Sequence, residues 1–580
     1  MGQNTNVATG TARLKEFTDS VWESYQRMPM QIERYLLLVV SPAVLFFLLL
    51  TVAAVVLPLP LLVRLPIFFL GMLLMATAVL YPRLLVEQQR RGLENQLHLL
   101  ITHMTVLSTT NIDRVEVFRA LSREREYGEL ATEMNRIVQL VDTWNQSLDD
   151  ACKRRAREVP SKPMADFLDR LAYSLNAGQG IDDFLLGEQE AMIQSYITVY
   201  EGALENIEVM KDLYLSMILS MTFALINAIV LPILTGMDAT MTILAVIIMF
   251  VFVQLGFYFV MRTMSPYDPL WYLQDEYRTK PVRQVDISLY GAVGLSFILI
   301  FALALGTLGV TPVGQAMRGV LVGVPIPILM AAPLTPLAIP GILARRQENS
   351  IKGRDGEFPG FIRALGSSES AKQATTSAVL QTLRKKDFGT LSADVNRLYT
   401  RLKMRIEPTR AWFYFTAESG SYLIQKFSEM YLVGRQMGGS PKQLGELISR
   451  NMNEVLQLRR QRQQATVTLI GVLYGITASA AFAFFIGLEV VEILVDISAQ
   501  MDLTGTNVGT IIHAGVYDVP TIEYLLTLII LFNALLSSLM IRVVDGGHKA
   551  NSYLHFVALA WIGSILAVVT SHLAGALISV

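Results

Sequence analysis

Few residues in this chain have the type and spacing that chemistry requires. Glu489 and Glu492 stand three apart, on one face of a helix, as a paired acid site would need. They lie at the outer end of an apolar run, within reach of water, which favours an interfacial or partner-contact role over a buried functional pair. The six histidines (His98, His103, His513, His548, His555 and His572) fall at no metal-ligand spacing and read as surface or interface residues. No Gly-Lys dipeptide occurs, so the P-loop that cradles nucleotide phosphates is absent. His-Glu-x-x-His and Gly-x-Ser-x-Gly are missing as well. The single cysteine, Cys152, excludes an internal disulfide and reads as a reduced thiol. These absences point away from an enzyme, and no cofactor or metal is expected.

Three basic clusters remain. Lys153, Arg154, Arg155 and Arg157 form one, and Arg384, Lys385 and Lys386 another; each reads as a docking surface for an acidic partner or as a solvated face. Arg459, Arg460 and Arg462 stand next to an apolar run, where arginines bind anionic headgroups of membrane lipids and fix topology. Gly438, Gly439, Ser440 and Pro441 read as a structural turn that aims a long helix, with Ser440 as its cap and Pro441 in its first turn.

The elements that must position these residues are set by composition. The chain has 580 residues, 52% hydrophobic and 17% charged, with net charge -1, which indicates a membrane protein and gives no field for nucleic acid. Apolar runs long enough to cross a core of about 30 Å occur near 35–57, 65–81, 213–234, 241–261, 287–308, 320–343, 465–488, 524–541 and 556–576. Pro58, Pro60 and Arg64 between the first two suggest a hairpin. Five prolines in the sixth run (Pro325, Pro327, Pro333, Pro336 and Pro340) predict a kinked or partly unwound helix, a gate in a transporter or a bent strut in a scaffold. The near absence of charge at membrane depth favours the scaffold.

Placing the N-terminus in the cytoplasm leaves only Arg64 and Arg318, of 48 Lys and Arg residues, outside. Nine crossings then put the C-terminus outside, after a loop near 496–522 with Asp496, Asp502, Asp518 and His513 and no cation. The organisation expected is a cytoplasmic segment 1–34, a hairpin 35–81, a helical domain 82–212, four spans in 213–343, a second helical domain 344–464 and three spans in 465–580. Stripes from Ile193 to Met210 and from Leu444 to Leu456 lead without a breaker into spans. The fold class is therefore all-α, polytopic, with two cytoplasmic helical bundles.

The bundles are related. The segment from Tyr127 to Arg136 aligns without gaps with that from Phe388 to Arg397. Downstream, Arg170-Leu171 and Gly178 align, at a shifted offset, with Lys426-Phe427 and Gly434.

The segment Glu357 to Gly366, the stretch Ser421 to Phe427, the turn Met437 to Leu444 and the run Gly471 to Gly475 resemble the type II secretion system F-domain family, in its archaellum (archaeal flagellum) branch. The resemblance is strongest in the second domain. It implies a non-enzymatic platform at the base of a type IV pilus-like filament, with no catalytic residues to carry over. The implied partners are a cytoplasmic hexameric secretion-superfamily ATPase, its accessory ATP-binding regulator, archaellin or prepilin subunits, and a second copy in a homodimer. The alternatives are an adhesion-pilus or type II-like secretion platform and a transporter.

Overall fold

Apolar stripes at helical spacing produce an all-helical chain. The computed structural model describes residues 32–56, 71, 72, 75, 78, 79, 81, 82, 89–110, 112–272, 280–308, 323–503 and 517–578. Two compact units divide between Met192 and Ile193.

The first unit contains α1 (Leu97–Ser108), α2 (Arg114–Arg123), α3 (Glu129–Asp142), α4 (Leu148–Glu158), α5 (Lys162–Asn176) and the start of α6 (Ile181–Thr235). Side-chain caps open α2, α4 and α5. Asp113, Ser147 and Ser161 accept hydrogen bonds from the first-turn amides of Val115, Asp150 and Met164. All of α1 is buried, so His98 and His103 are core residues, contrary to the surface reading. The reason is that this helix has no solvent face; His103 Nδ1 lies 3.2 Å from the Tyr127 hydroxyl.

α6 runs unbroken for 55 residues into the second unit. There follow α7 (Ala239–Met264), α8 (Lys280–Leu308), α9 (Ala338–Lys372), α10 (Thr376–Leu383), α11 (Ser392–Lys403), α12 (Pro408–Ser419), α13 (Tyr422–Gln436), α14 (Pro441–Leu503), α15 (Val519–Asp545) and α16 (Asn551–Ile578). Seven helices among the described residues are long and apolar enough to cross a bilayer. Of the first hairpin, 32–56 is helical, while 57–70 and much of 71–81 lie outside the described residues. Its two arms meet where the Tyr35 hydroxyl donates to the Ala78 carbonyl at 2.7 Å.

The proline-rich span is interrupted as its sequence predicts: Ile326–Ala331 is α-helical, Ala332–Leu337 is a 3₁₀ segment, and α9 resumes at Ala338. α9 then passes position 344 without a break. The spans pack α6, α7, α14 and α15 around one apolar core that includes Ile218, Leu225, Phe250, Leu473, Phe484 and Ile529. Tyr200, Leu204 and Ile207 also join this core. Residues 193–212 therefore pack with the spans.

The two bundles share their backbone specials. Gly128 and Gly389 have φ of 53° and 52°, Asn145 and Arg405 of 53° and 61°, and Gly178 and Gly438 of 77° and 89°. Ser161 and Ser421 cap the paired helices α5 and α13, each of 15 residues. All four pairs keep the same separation along the chain to within one residue. Gly178 therefore corresponds to Gly438, which replaces the alignment with Gly434.

Candidate functional site

The turn before α14 is built from the four residues singled out above. Gly439 N–H donates to the Gly434 carbonyl (2.9 Å) and Gly438 N–H to the Arg435 carbonyl (3.2 Å), closing α13 with Gly438 in the left-handed region. Arg435 Nη1 also holds the Gly439 carbonyl at 3.0 Å. Pro441 then opens α14 directly against α9. A side chain at Gly366 would overlap the Pro441 carbonyl, and one at Gly445 would stand 2.8 Å from the Ile362 carbonyl oxygen. Backbone meets backbone there, and only glycine fits.

Further along the same two helices lies a collar of buried charge. Arg459 on α14 reaches Asp268 through two nitrogens (2.8 and 2.6 Å), Asp355 on α9 (2.8 Å) and the Pro269 carbonyl (2.9 Å). The Ser421 hydroxyl donates to Asp355 while its oxygen caps α13. Glu348 on α9 accepts from Trp271 Nε1 (3.3 Å), the His548 amide (2.5 Å) and Asn551 Nδ2 (3.1 Å). Arg462 donates to the carbonyls of Val544 (2.5 Å) and Val543 (3.2 Å), neutralising the C-terminal end of α15. The collar thus ties α9 and α14 to the connections after α7 and after α15. The arginine fork suits this role because it presents several donors in a fixed plane.

Arg459 and Arg462 consequently point inward, not towards lipid headgroups; Arg460 alone of the three is exposed. Their carbonyl and carboxylate partners come from segments distant in sequence. Of the first basic cluster, Lys153, Arg154 and Arg157 are exposed, whereas Arg155 is buried and paired with Glu133 (2.7 Å) and Glu158. Arg384, Lys385 and Lys386 are exposed, and the Arg384 guanidinium lies 4.5 Å over the Tyr399 ring. Cys152 is buried, and burial pushes its thiol well above the ordinary value, leaving it inert. Burial also holds the Asp394 carboxyl above its ordinary range, against the pull of Arg354 and Arg397. Glu489 is half-buried and Glu492 exposed. His513 lies outside the described residues. Among the described residues no cluster of His, Cys, Asp or Glu could hold a metal ion.

The sequence profile described as "Type II secretion system (T2SS), protein F" matches residues 100–227. Flagella accessory protein J of Methanocaldococcus jannaschii is 35% identical over 510 residues, covering 86% of this chain and 88% of its own. The protein of the same name from Methanococcus voltae is 34% identical over 516 residues, 89% of this chain and 91% of its own. The chain belongs to the flagella accessory protein J family. An uncharacterized protein of Methanocaldococcus jannaschii is 28% identical over 136 residues, 23% of each chain. No solved structure matches.

Family membership makes this a polytopic membrane protein of the type IV pilus-like platform class. The profile match falls on the first bundle, where the resemblance read from residues was the weaker. One polar cluster escaped the sequence reading. In the core of the spans, Gln254 Nε2 donates to Asn533 Oδ1 (2.5 Å), and Asn533 Nδ2 donates to Thr477 Oγ1 (3.2 Å). The Tyr214 hydroxyl lies 3.5 Å from Asn533 Oδ1. The signal was present as two lone amides inside apolar runs, and these residues join α6, α7, α14 and α15 at membrane depth.

Proposed function

We propose that this chain is the non-enzymatic membrane platform of an archaellum motor, coupling a cytoplasmic secretion-type ATPase to assembly and rotation of an archaellin filament. The observation that carries this reading is the continuity of the helices: α6 and α14, of 55 and 63 residues, each begin in a polar bundle and continue as a crossing helix. A helix of 63 residues is about 95 Å long, roughly three times the hydrocarbon thickness. Displacing its polar end displaces its crossing segment, since no break intervenes. An ATPase whose states contact the bundles differently would drive that displacement. The accessory ATP-binding regulator sits nearby, and a homodimer is the assembled state.

The domain organisation follows the order given above, with both bundles and the N-terminus in the cytoplasm and the C-terminus outside. Two features support this topology: the distribution of Lys and Arg, and the collar, whose partners put the connections after α7 and α15 on the face of the second bundle. The exposed cations Lys153, Arg154 and Arg157, and the trio Arg384, Lys385 and Lys386, offer acidic partners two docking faces.

The experiment is an insertion of Gly-Gly-Ser after Gln464, which interrupts α14 below its crossing segment. Loss of filaments with membrane insertion and ATPase binding retained is the expected result. Normal assembly would refute mechanical coupling through this helix. Deleting the chain should abolish swimming; lost surface attachment with swimming intact would make it an adhesion-pilus platform instead.

A further inference from the structure

The membrane-distal end of the second bundle carries cations in places that helical electrostatics disfavours. α9 and α14 reach this end from their crossing segments. The α13 C-terminus, the α12 N-terminus and the α11 C-terminus meet there, with Gln436 Nε2 donating to Thr409 Oγ1 at 3.1 Å. Arg410 lies in the first turn of α12 and Lys442 in the first turn of α14. The positive end of the helix dipole repels both. Arg405 adopts a left-handed backbone, φ 61°, which sterics disfavour for a bulky residue. All three are exposed, and among the described residues none has an ion-pair partner. Met404, beside Arg405, is 63% exposed. Glu407 and Glu446 at the same end are also exposed, and they do not match the cations in number once Lys403 is counted.

The first bundle shows that the fold does not require this arrangement. At the equivalent positions it has Trp144, Asn145, Asp150 and Asp182. Its first-turn residues are carboxylates, as the dipole favours, and Trp144 is 70% exposed. Both copies therefore hold a large apolar side chain in water at the corner before the left-handed residue. Only the second copy has cations at the accompanying positions: Arg405 beside it, Arg410 in the first turn of α12 and Lys442 in the first turn of α14.

We infer that this basic crown, the exposed Arg405, Arg410 and Lys442 at the same end of the bundle as Met404, is a docking surface for an acidic protein face with an apolar socket. The inference rests on the platform reading and adds a surface distinct from Arg384, Lys385 and Lys386. Charge complementarity sets the sign of the partner, and Met404 supplies the central desolvated anchor that interfaces of this kind use. The distance of the crown from the crossing segment, about 36 Å along α14 from Pro441 to Ala465, separates it from lipid headgroups.

The test uses the full chain in lipid nanodiscs and the purified hexameric secretion-superfamily ATPase of the same organism as the probe. The triple variant Arg405→Glu, Arg410→Glu, Lys442→Glu should weaken binding at least tenfold at low salt, with the difference shrinking as salt is raised. Met404→Ser should weaken it several-fold with the salt dependence unchanged. The triple variant should melt at the same or a higher temperature, because carboxylates replace cations at two helix starts. Binding of the triple variant within twofold of the unaltered chain overturns the inference while leaving the platform reading intact. A lowered melting temperature overturns it too, by giving the cations an internal role. If the ATPase ignores the unaltered chain, the platform reading falls and takes the crown with it.

Discussion

The two bundles solve the same packing problem with different attachments. In the first, the buried carboxylate Glu133 is held by Arg155 of α4, within the bundle. In the second, the equivalent Asp394 is held by Arg354 of α9, a helix that continues into the spans (3.1 Å). The capping serines repeat the contrast: Ser161 donates to Glu94 at 3.2 Å, whereas Ser421 donates to Asp355, which Arg459 also holds. The residues before α1 are helical over 89–95 and turn at Gln96, but their counterpart in the second bundle is the unbroken α9. One inherited design has thus been fastened to the membrane by its own core charges, and the other satisfies those charges locally.

Removing the fastening tests this difference most severely. Arg459→Met leaves Asp268 and Asp355 buried without their cation, and breaking such a pair costs about 3–5 kcal/mol. Thermal unfolding in detergent should show the loss. A shift no larger than that of an exposed control such as Arg460→Met would mean the collar contributes nothing.

Next comes the helix crossing. Gly366→Ala forces α9 and α14 apart and should cost about 1–3 kcal/mol. The equivalent residue in the first bundle, Thr105, donates instead to the Leu185 carbonyl at 3.3 Å, so Thr105→Ala should cost only about 0.5–1.5 kcal/mol. Equal costs would erase the distinction between a backbone contact and a side-chain spacer.

The caps come third. Ser161→Ala and Ser421→Ala should each cost about 1 kcal/mol, with the second larger because its hydroxyl also serves a buried carboxylate. The reverse order would detach Ser421 from the collar.

The smallest effect is a pH dependence confined to the second unit. Burial lowers His548 below its ordinary 6.5, and its Nδ1 accepts the Ala550 amide at 3.2 Å. The folded state therefore prefers the neutral ring. The contribution of this ring to stability should be full above about pH 6.5 and decline as pH falls towards the depressed folded value. His548→Gln should flatten the stability profile through that window, and an unchanged slope would assign it to another group.

The sequence exposed what repeats locally and concealed what depends on distant partners. Stripes such as Leu444, Ile448, Met452 and Val455 disclose α14, and Gly438-Gly439-Ser440-Pro441 discloses the turn before it. Arginines 459 and 462 carry the same local signature whether they face headgroups or fold inward; only Asp268, Asp355 and the end of α15, far along the chain, decide between the two. His98 and His103 were misplaced because α1 is buried on every side, so its polar residues mark no outer face. Of the candidate basic sites, the exposed members were legible as charge runs, but the burial of Arg155 depended on Glu133 in another helix.

The 3₁₀ segment Ala332–Leu337 has a mechanical corollary. Two rods leave the second bundle towards the bilayer, yet only α14 keeps one hydrogen-bonding pattern throughout its crossing. Where α9 gives way to Pro333 and Pro336, donors are missing and the coil is tighter and more easily stretched. The pair therefore acts as a stiff strut beside a compliant one. Axial load divides unequally between them, and the yielding member sets how far the stiff one can travel before its neighbours must follow.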